Sequence, residues 1–336
     1  MNMNNLAKAL CAVVVMAAGP AAADTVKIAI GGSSCICYLP TVLAKQLGNY
    51  EKHGVDVELI DFKGGSAALK AMVGGSADMV SGYYEHTINM AAKNQQMEAV
   101  AVLGRLPGIA LMVAPKNTGK INSLADLKGK TVGVTAPGSS TDFFLKYLLA
   151  KDGMDKNAAS VVGVGVGATS VAAMQQGQID AVVTLDPAIT QLLKMHPDLA
   201  TLIDTRKTDD TRKFFGADYA GAAIYARTEW VDAHAKETEG VAAAIVDTLK
   251  YIHSHTPEEI ADQMPPEMIG ADKAIYVESL KNSLEMISET GAMDPDGAKV
   301  VLDVVSFNSP EVAAANVDLS KTYTNEYVEK AAAAAQ

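Results

Sequence analysis

One signature is written twice in this chain. "AALKAMVGGSADMV" at residues 67–80 and "TSVAAMQQGQIDAVV" at residues 169–183 match at Met72 and Met174, Gly75 and Gly177, and Asp78 and Asp180. Each copy runs from an alanine-rich helical pattern into glycine, and then through an aspartate into a short apolar run. A signature repeated at a constant offset belongs to architecture, so both aspartates are expected to fix a helix-to-strand turn at the amino end of a strand, away from any ligand.

The flanking sequence repeats with it. "TVKIAI", "VDVELIDF", "ADMVSG" and "AVAVLGR" read as strands, interleaved with helices at "PTVLAKQLGNYEKHG" and "GGSAALKAMVGG". Pro40 suits the first turn of one helix and Gly48 its end, while Ser66 suits the N-cap of the other. The order restarts near residue 126 with "DLKGKTVGVTAPGSS", a helix in which Ser139 and Asp142 are spaced as a capping box, "ASVVGVGV", "DAVVT", and a helix with Asp186 as N-cap and Pro187 at its first position. Strands alternating with helices predict parallel βαβ units and two similar lobes. "RLPGIALMVAP" and "DYAGAAIYAR" read as outward and return crossings between them, and the chain beyond Thr228 as mostly helical.

Composition sets outer limits. With 336 residues, two domains are the natural expectation. A formal net charge of −11 argues against nucleic acid as a partner. Lys8, the apolar run 9–18 and Ala21-Ala22-Ala23 read as a signal peptide cleaved after Ala23, which predicts an exported, periplasmic protein. Cys11 follows Leu10, so no lipid anchor is expected. Beyond the leader stand Cys35 and Cys37. A bridge between residues two apart is strained, so they read as packing or ligand-wall thiols, with redox or metal use the alternative.

In the stretches "PTVLAKQLGNYEKHGVDVELIDFKGGSAALKAMVGGSADMV", "INSLADLKGKTVGVTAPGSS" and "MQQGQIDAVVTLDPA" the chain resembles the periplasmic substrate-binding proteins of ABC importers, in the branch that serves nitrate, sulfonates, taurine and thiamine-pyrimidine precursors. The resemblance runs from about Val26 to the final helices. It implies an α/β, two-lobed type II periplasmic binding protein fold with two hinge crossings: a signal peptide at 1–23, lobe 1 at 24–107, lobe 2 at 108–220, and a return to lobe 1 with the C-terminal helices at 221–336. It also implies a monomer with no cofactor, working with an ABC permease and its cytoplasmic ATPase.

Ligands of open α/β sheets bind beyond the carboxyl ends of the strands. The candidates there are Ser33, Ser34, Cys35, Gly65, Ser66, Ser81 and Tyr83 in the first lobe, and Gly138, Ser139, Ser140, Thr141, Thr169 and Asp186 in the second. Their hydroxyls and free helix N–H groups suit anionic oxygens, though capping accounts for each serine and threonine equally well. Tyr38 joins them as an aromatic wall, with packing the reading for Tyr84 and Tyr219. Arg105 is the candidate counter-ion for a carboxylate or sulfonate, with an exposed salt bridge as its alternative role. Glu85 and His86 would suit an amine or ring nitrogen, but a helix-surface position is the stronger reading.

The expected ligand is a small organic anion, an alkyl or aromatic sulfonate or carboxylate, ahead of a neutral pyrimidine-like heterocycle and of nitrate. A sensor domain reporting to a membrane receptor is one rival, and a pyrimidine or thiamine biosynthetic enzyme on the same fold is another. No Gly-x-Ser-x-Gly elbow, HExxH or P-loop favours the enzyme, and "GVGVGA" lacks the spacing of a dinucleotide motif.

Overall fold

A computed structural model describes residues 25–334, so the signal-peptide reading lies outside the described residues. Ten strands form two five-stranded sheets. The first contains β1 (Val26–Ile30), β2 (Val57–Asp61), β3 (Met79–Tyr83), β4 (Met97–Val102) and β10 (Ala222–Arg227), in the order β2-β1-β3-β10-β4. The second contains β5 (Ile109–Val113), β6 (Thr131–Val134), β7 (Ser160–Gly163), β8 (Ala181–Leu185) and β9 (Thr201–Asp204), in the order β7-β6-β8-β5-β9.

Each sheet has a parallel core. Ile28 pairs with Leu59 and Met79 in the first, and Val132 with Val161 and Ala181 in the second. Beside each core lies an antiparallel strand, β10 against β3 and β4, and β5 against β8 and β9. The expected parallel βαβ units are present, with an antiparallel strand added to each sheet. "IALMV" and "AAIYA" are inserted into the sheets, where burial on both faces explains their unbroken apolar character. The short strand "TLID" at β9 carries too little alternation to be read from sequence.

The repeated signature acts as an identical clamp in both sheets. Asp78 accepts the Lys27 backbone N–H at 2.8 Å and its own N–H donates to the Lys27 carbonyl at 2.9 Å. Asp180 does the same with Thr131, at 2.9 and 2.7 Å. Gly75 and Gly177 sit at φ of 77° and 67°, which ends each helix in the left-handed region where glycine is unstrained. Met72 and Met174 are buried beneath.

Three capping expectations shift. The helix Gly65–Val73 begins one residue before Ser66, with Gly64 at its N-cap. Pro187, not Asp186, caps the helix Ala188–Met195, while Asp186 accepts the Thr190 N–H from one residue further out. The Ser139–Asp142 capping box does not form, because the Ser139 hydroxyl turns back to Thr135 and the Ala136 carbonyl and the Asp142 carboxylate accepts from the Gly138 N–H.

The chain passes between the sheets twice, at 103–108 and 205–221, and the two passages run side by side. Leu103 and Gly104 donate to the Ala222 carbonyl, Gly221 to the Gly104 carbonyl and Tyr219 to the Arg105 carbonyl. A Cβ on Gly221 would lie 2.5 Å from the Leu106 carbonyl oxygen, so glycine is what lets the passages touch.

Two outcomes follow. Asp180→Ala should lower unfolding stability by about 1–3 kcal/mol in urea titration while leaving ligand affinity within about twofold; a large loss of affinity would put Asp180 in the site. Gly221→Ala should destabilise by about 1–3 kcal/mol through overpacking of the paired passages, and an unchanged denaturation midpoint would show that they part easily.

Candidate functional site

The carboxyl ends of β1 and β3 face those of β6 and β8, and the two lobes are shut against each other. The Ile36 N–H donates to the Asp186 carbonyl at 3.1 Å, and the Ser66 hydroxyl to the Pro137 carbonyl at 2.9 Å. At the seam Gly32 faces Val166 and Gly64 faces Ala136, where side chains would collide: a Cβ on Gly32 would lie 2.3 Å from Val166 Cγ2.

Two cavities open at this seam. One of about 460 Å³ brings together Ser34 and Thr169 with Gly32, Asp61, Phe62, Lys63 and Val166. The other, of about 440 Å³, brings Ser66 and Gly138 together with His86, Phe143, Lys70 and Lys93. Gly65 borders the second site closely, since a Cβ there would lie 3.0 Å from the His86 ring.

Several expected ligand contacts are engaged elsewhere. Ser81 shares a 2.7 Å hydrogen bond with Thr41 in the core, and the Ser33 N–H donates to Asp61. Ser139 and Thr141 form a buried hydroxyl cluster with Thr135, in which Thr141 accepts the Thr135 N–H at 2.9 Å. The Asp186 carboxylate receives Arg206 at 3.1 Å and Ser283 at 2.7 Å. Arg105 donates to Asp218 at 2.8 Å, to Thr208 at 3.0 Å and to the Glu285 carbonyl at 3.2 Å. Its guanidinium faces a separate cavity behind the hinge, so the expected counter-ion is already paired. The cations that line the two seam cavities are instead Lys63, Lys70 and Lys93.

The cysteines are also corrected, for Cys35 and Cys37 form a disulfide. Their Cα atoms stand 5.2 Å apart, within reach of a bridge, and the turn Ile36–Tyr38 begins between them. Both are buried in the wall beside Tyr38.

Glu85 and His86 are the residues that sequence reasoning misplaced. They start the helix Glu85–Ala91 directly after β3, and each is only 1% exposed. Neither carboxylate oxygen of Glu85 has a partner of hydrogen-bond geometry, and neither does His86 Nε2, although the Ser140 hydroxyl and the Glu85 N–H act on the first group and the Gly138 backbone on the second from slightly beyond it. His86 Nδ1 shares a 2.8 Å hydrogen bond with the Tyr225 hydroxyl, which arrives on β10 from far along the chain. Burial raises the Glu85 carboxyl to about 7, with the Ser140 hydroxyl of the second lobe opposing the shift. Burial lowers His86 to about 4, against the opposing influence of the Gly138 backbone, so the imidazole is neutral at pH 7.

Tyr38 and Tyr83 meet edge to face at 6.2 Å, and the Tyr83 hydroxyl donates to the Pro107 carbonyl at 2.6 Å. The Glu85 charge is felt at Tyr38, Tyr83, Tyr219 and Tyr225, where it adds to burial in raising each phenol. Glu85 is thus buried near four tyrosines, with the Ser140 hydroxyl of the second lobe acting on it.

Comparison with known proteins places this geometry. Residues 37–260 match the family described as NMT1/THI5 like. A solved structure from Bordetella bronchiseptica RB50 is 40% identical, with a TM-score of 0.90 over 93% of this chain and 98% of that one. A curated relative from Brucella abortus, named as a binding protein, is 29% identical over 74% of this chain and 73% of its own length. The periplasmic aliphatic sulphonate binding protein SsuA from Escherichia coli shares the fold, at 20% identity and a TM-score of 0.64 over 90% of this chain and 98% of its own. The chain belongs to the NMT1/THI5-like family and has the two-lobed periplasmic binding protein fold used by the ligand-binding components of ABC import systems.

Proposed function

We propose that this chain is an exported solute-binding protein that closes its two lobes on one small organic molecule and presents the closed form to an ABC permease. One observation carries the reading: the lobes meet over buried polar atoms, on Glu85 and His86, that have no protein partner of hydrogen-bond geometry. Buried polar groups are almost always hydrogen-bonded, and an unpartnered carboxyl raises the energy of the empty closed form. A ligand that supplies those partners stabilises closure, and so shifts the population toward the closed form.

The name of SsuA brings aliphatic sulfonates forward as one class to test. Both arginines near the seam are paired, Arg105 with Asp218 and Arg206 with Asp186 and Asp204, which leaves Lys63, Lys70 and Lys93 at the cavity walls as the cations a sulfonate would use, apart from the buried Glu85. The proposed cargo is organic, held by Glu85, His86, the tyrosines and the hydroxyls of Ser34, Ser66, Ser140 and Thr169. Its transport needs no bond-making step in this chain.

A thermal-shift panel of sulfonates, carboxylates, amines and heterocycles tests this. At a hundredfold excess over the dissociation constant a true ligand adds about 2.7 kcal/mol, which moves the midpoint by several degrees. The same compound should shrink the radius of gyration in solution scattering. Unchanged dimensions with a bound ligand would remove lobe closure from the mechanism.

The empty cleft also has a pH signature. Glu85 holds its proton more tightly when folded, so its contribution to stability is present below about 4.5 and is lost as pH rises through about 7. His86 is depressed, so its contribution is present above about 6.5 and is lost as pH falls toward about 4. The two slopes oppose each other between about pH 4.5 and 6.5. Glu85→Gln leaves only the histidine slope, so the variant should gain on the wild type with rising pH, by on the order of 3 kcal/mol at pH 7 and above. Parallel urea-unfolding curves across this range would show that Glu85 is not buried as an unpartnered acid.

A further inference from the structure

The seam holds one buried acid whose two carboxylate oxygens both lack a partner of hydrogen-bond geometry, Glu85. Elsewhere in the described residues buried acids have at least one partnered oxygen: Asp186 has Arg206 and Ser283, and Asp142 has Lys146 and the Gly138 N–H on one oxygen while its Oδ1 has none. Neither oxygen of Glu85 has a partner of hydrogen-bond geometry; only the Ser140 hydroxyl and its own backbone N–H act on it, and no lysine or arginine does. The facing groups are neutral at pH 7: His86 on its own helix, Tyr38 and Tyr83 from the first lobe, Tyr225 on β10, Tyr219 on the return passage, and Ser140 at the start of the helix Ser140–Lys151.

Two of the four tyrosine hydroxyls are engaged, Tyr83 on the Pro107 carbonyl and Tyr225 on His86. An ionised carboxylate at this depth attracts a positive charge through the ion pair and its charge-assisted hydrogen bonds. An anion seated there would meet a like charge.

Building on the solute-binding reading, we propose that the cargo carries a cationic nitrogen, a protonated amine or amidinium, seated on Glu85 within the ring of Tyr38, Tyr83, Tyr219 and Tyr225. The nitrogen supplies N–H donors to both carboxylate oxygens and removes the unpaired state of the closed form. Because the empty carboxyl is held partly protonated near neutrality, binding such a cation expels a proton from Glu85. The remainder of the ligand reaches toward the seam cavities, where backbone and hydroxyl groups receive its neutral part.

Three probes of one size separate the charge classes: benzamidine, benzamide and benzoate, titrated calorimetrically into the full mature protein and into Glu85→Gln. The expected result is that benzamidine binds the wild type most tightly and loses about tenfold or more in the variant, while benzamide changes little. Titration at pH 6.5 in buffers of different ionisation heat should show proton release with benzamidine in the wild type and none in the variant. Benzoate binding as tightly as benzamidine, or benzamidine affinity surviving Glu85→Gln, overturns the proposal and leaves the solute-binding reading standing. The wild-type ranking alone decides this if the variant does not fold. If none of the three binds, the charge of the compound that closes the lobes in the wider panel decides: an anion or a neutral molecule overturns the cation, and an amine weakened by Glu85→Gln supports it. If no compound closes the lobes, the solute-binding reading falls and the cation with it.

Discussion

The antiparallel strands β5 and β10 fix everything else. Each is hydrogen-bonded on both sides within its sheet, and each is joined directly to a passage from the other lobe. The passages are therefore anchored in sheet interiors, where slippage would break two ladders at once. The two sheets are joined through the short paired segment around Gly104 and Gly221.

That restriction gives the seam its character. Closure brings main chain against side chain at Gly32 and Gly64, so small changes in hinge angle translate into contact or separation over the whole cleft. Hydrogen bonds across it are both neutral, as from Ser66 to Pro137 and Ile36 to Asp186, and charged, as from Ser283 to the Asp186 carboxylate, with the Lys194–Glu278 ion pair beside them.

The architecture was legible because it is periodic and local. Met72-Gly75-Asp78 and its second copy record the same clamp, and the apolar runs record the strands. Functional positions were less legible for a physical reason. Arg105 and Asp186 lie where the topology said they should, yet Asp218 and Arg206, distant in sequence, determine that they are paired. Glu85 and His86 follow β3, the right place for a ligand group, but a helix start is usually exposed, and only the lobe opposite, with Tyr225 on β10, buries them. The disulfide at Cys35–Cys37 was hidden similarly, since a turn between the two residues decides whether they can meet.

The placement of β10 has a consequence for biosynthesis. The second sheet is built from one continuous stretch, 109–204, whereas the first lacks a central strand until residue 227 has been made. A chain emerging from its amino end can complete the second lobe while β3 and β4 still await the strand that joins them. The first half of the molecule is thus the last to acquire a finished sheet, and β3 and β4 expose unpaired edges for as long as that strand is missing.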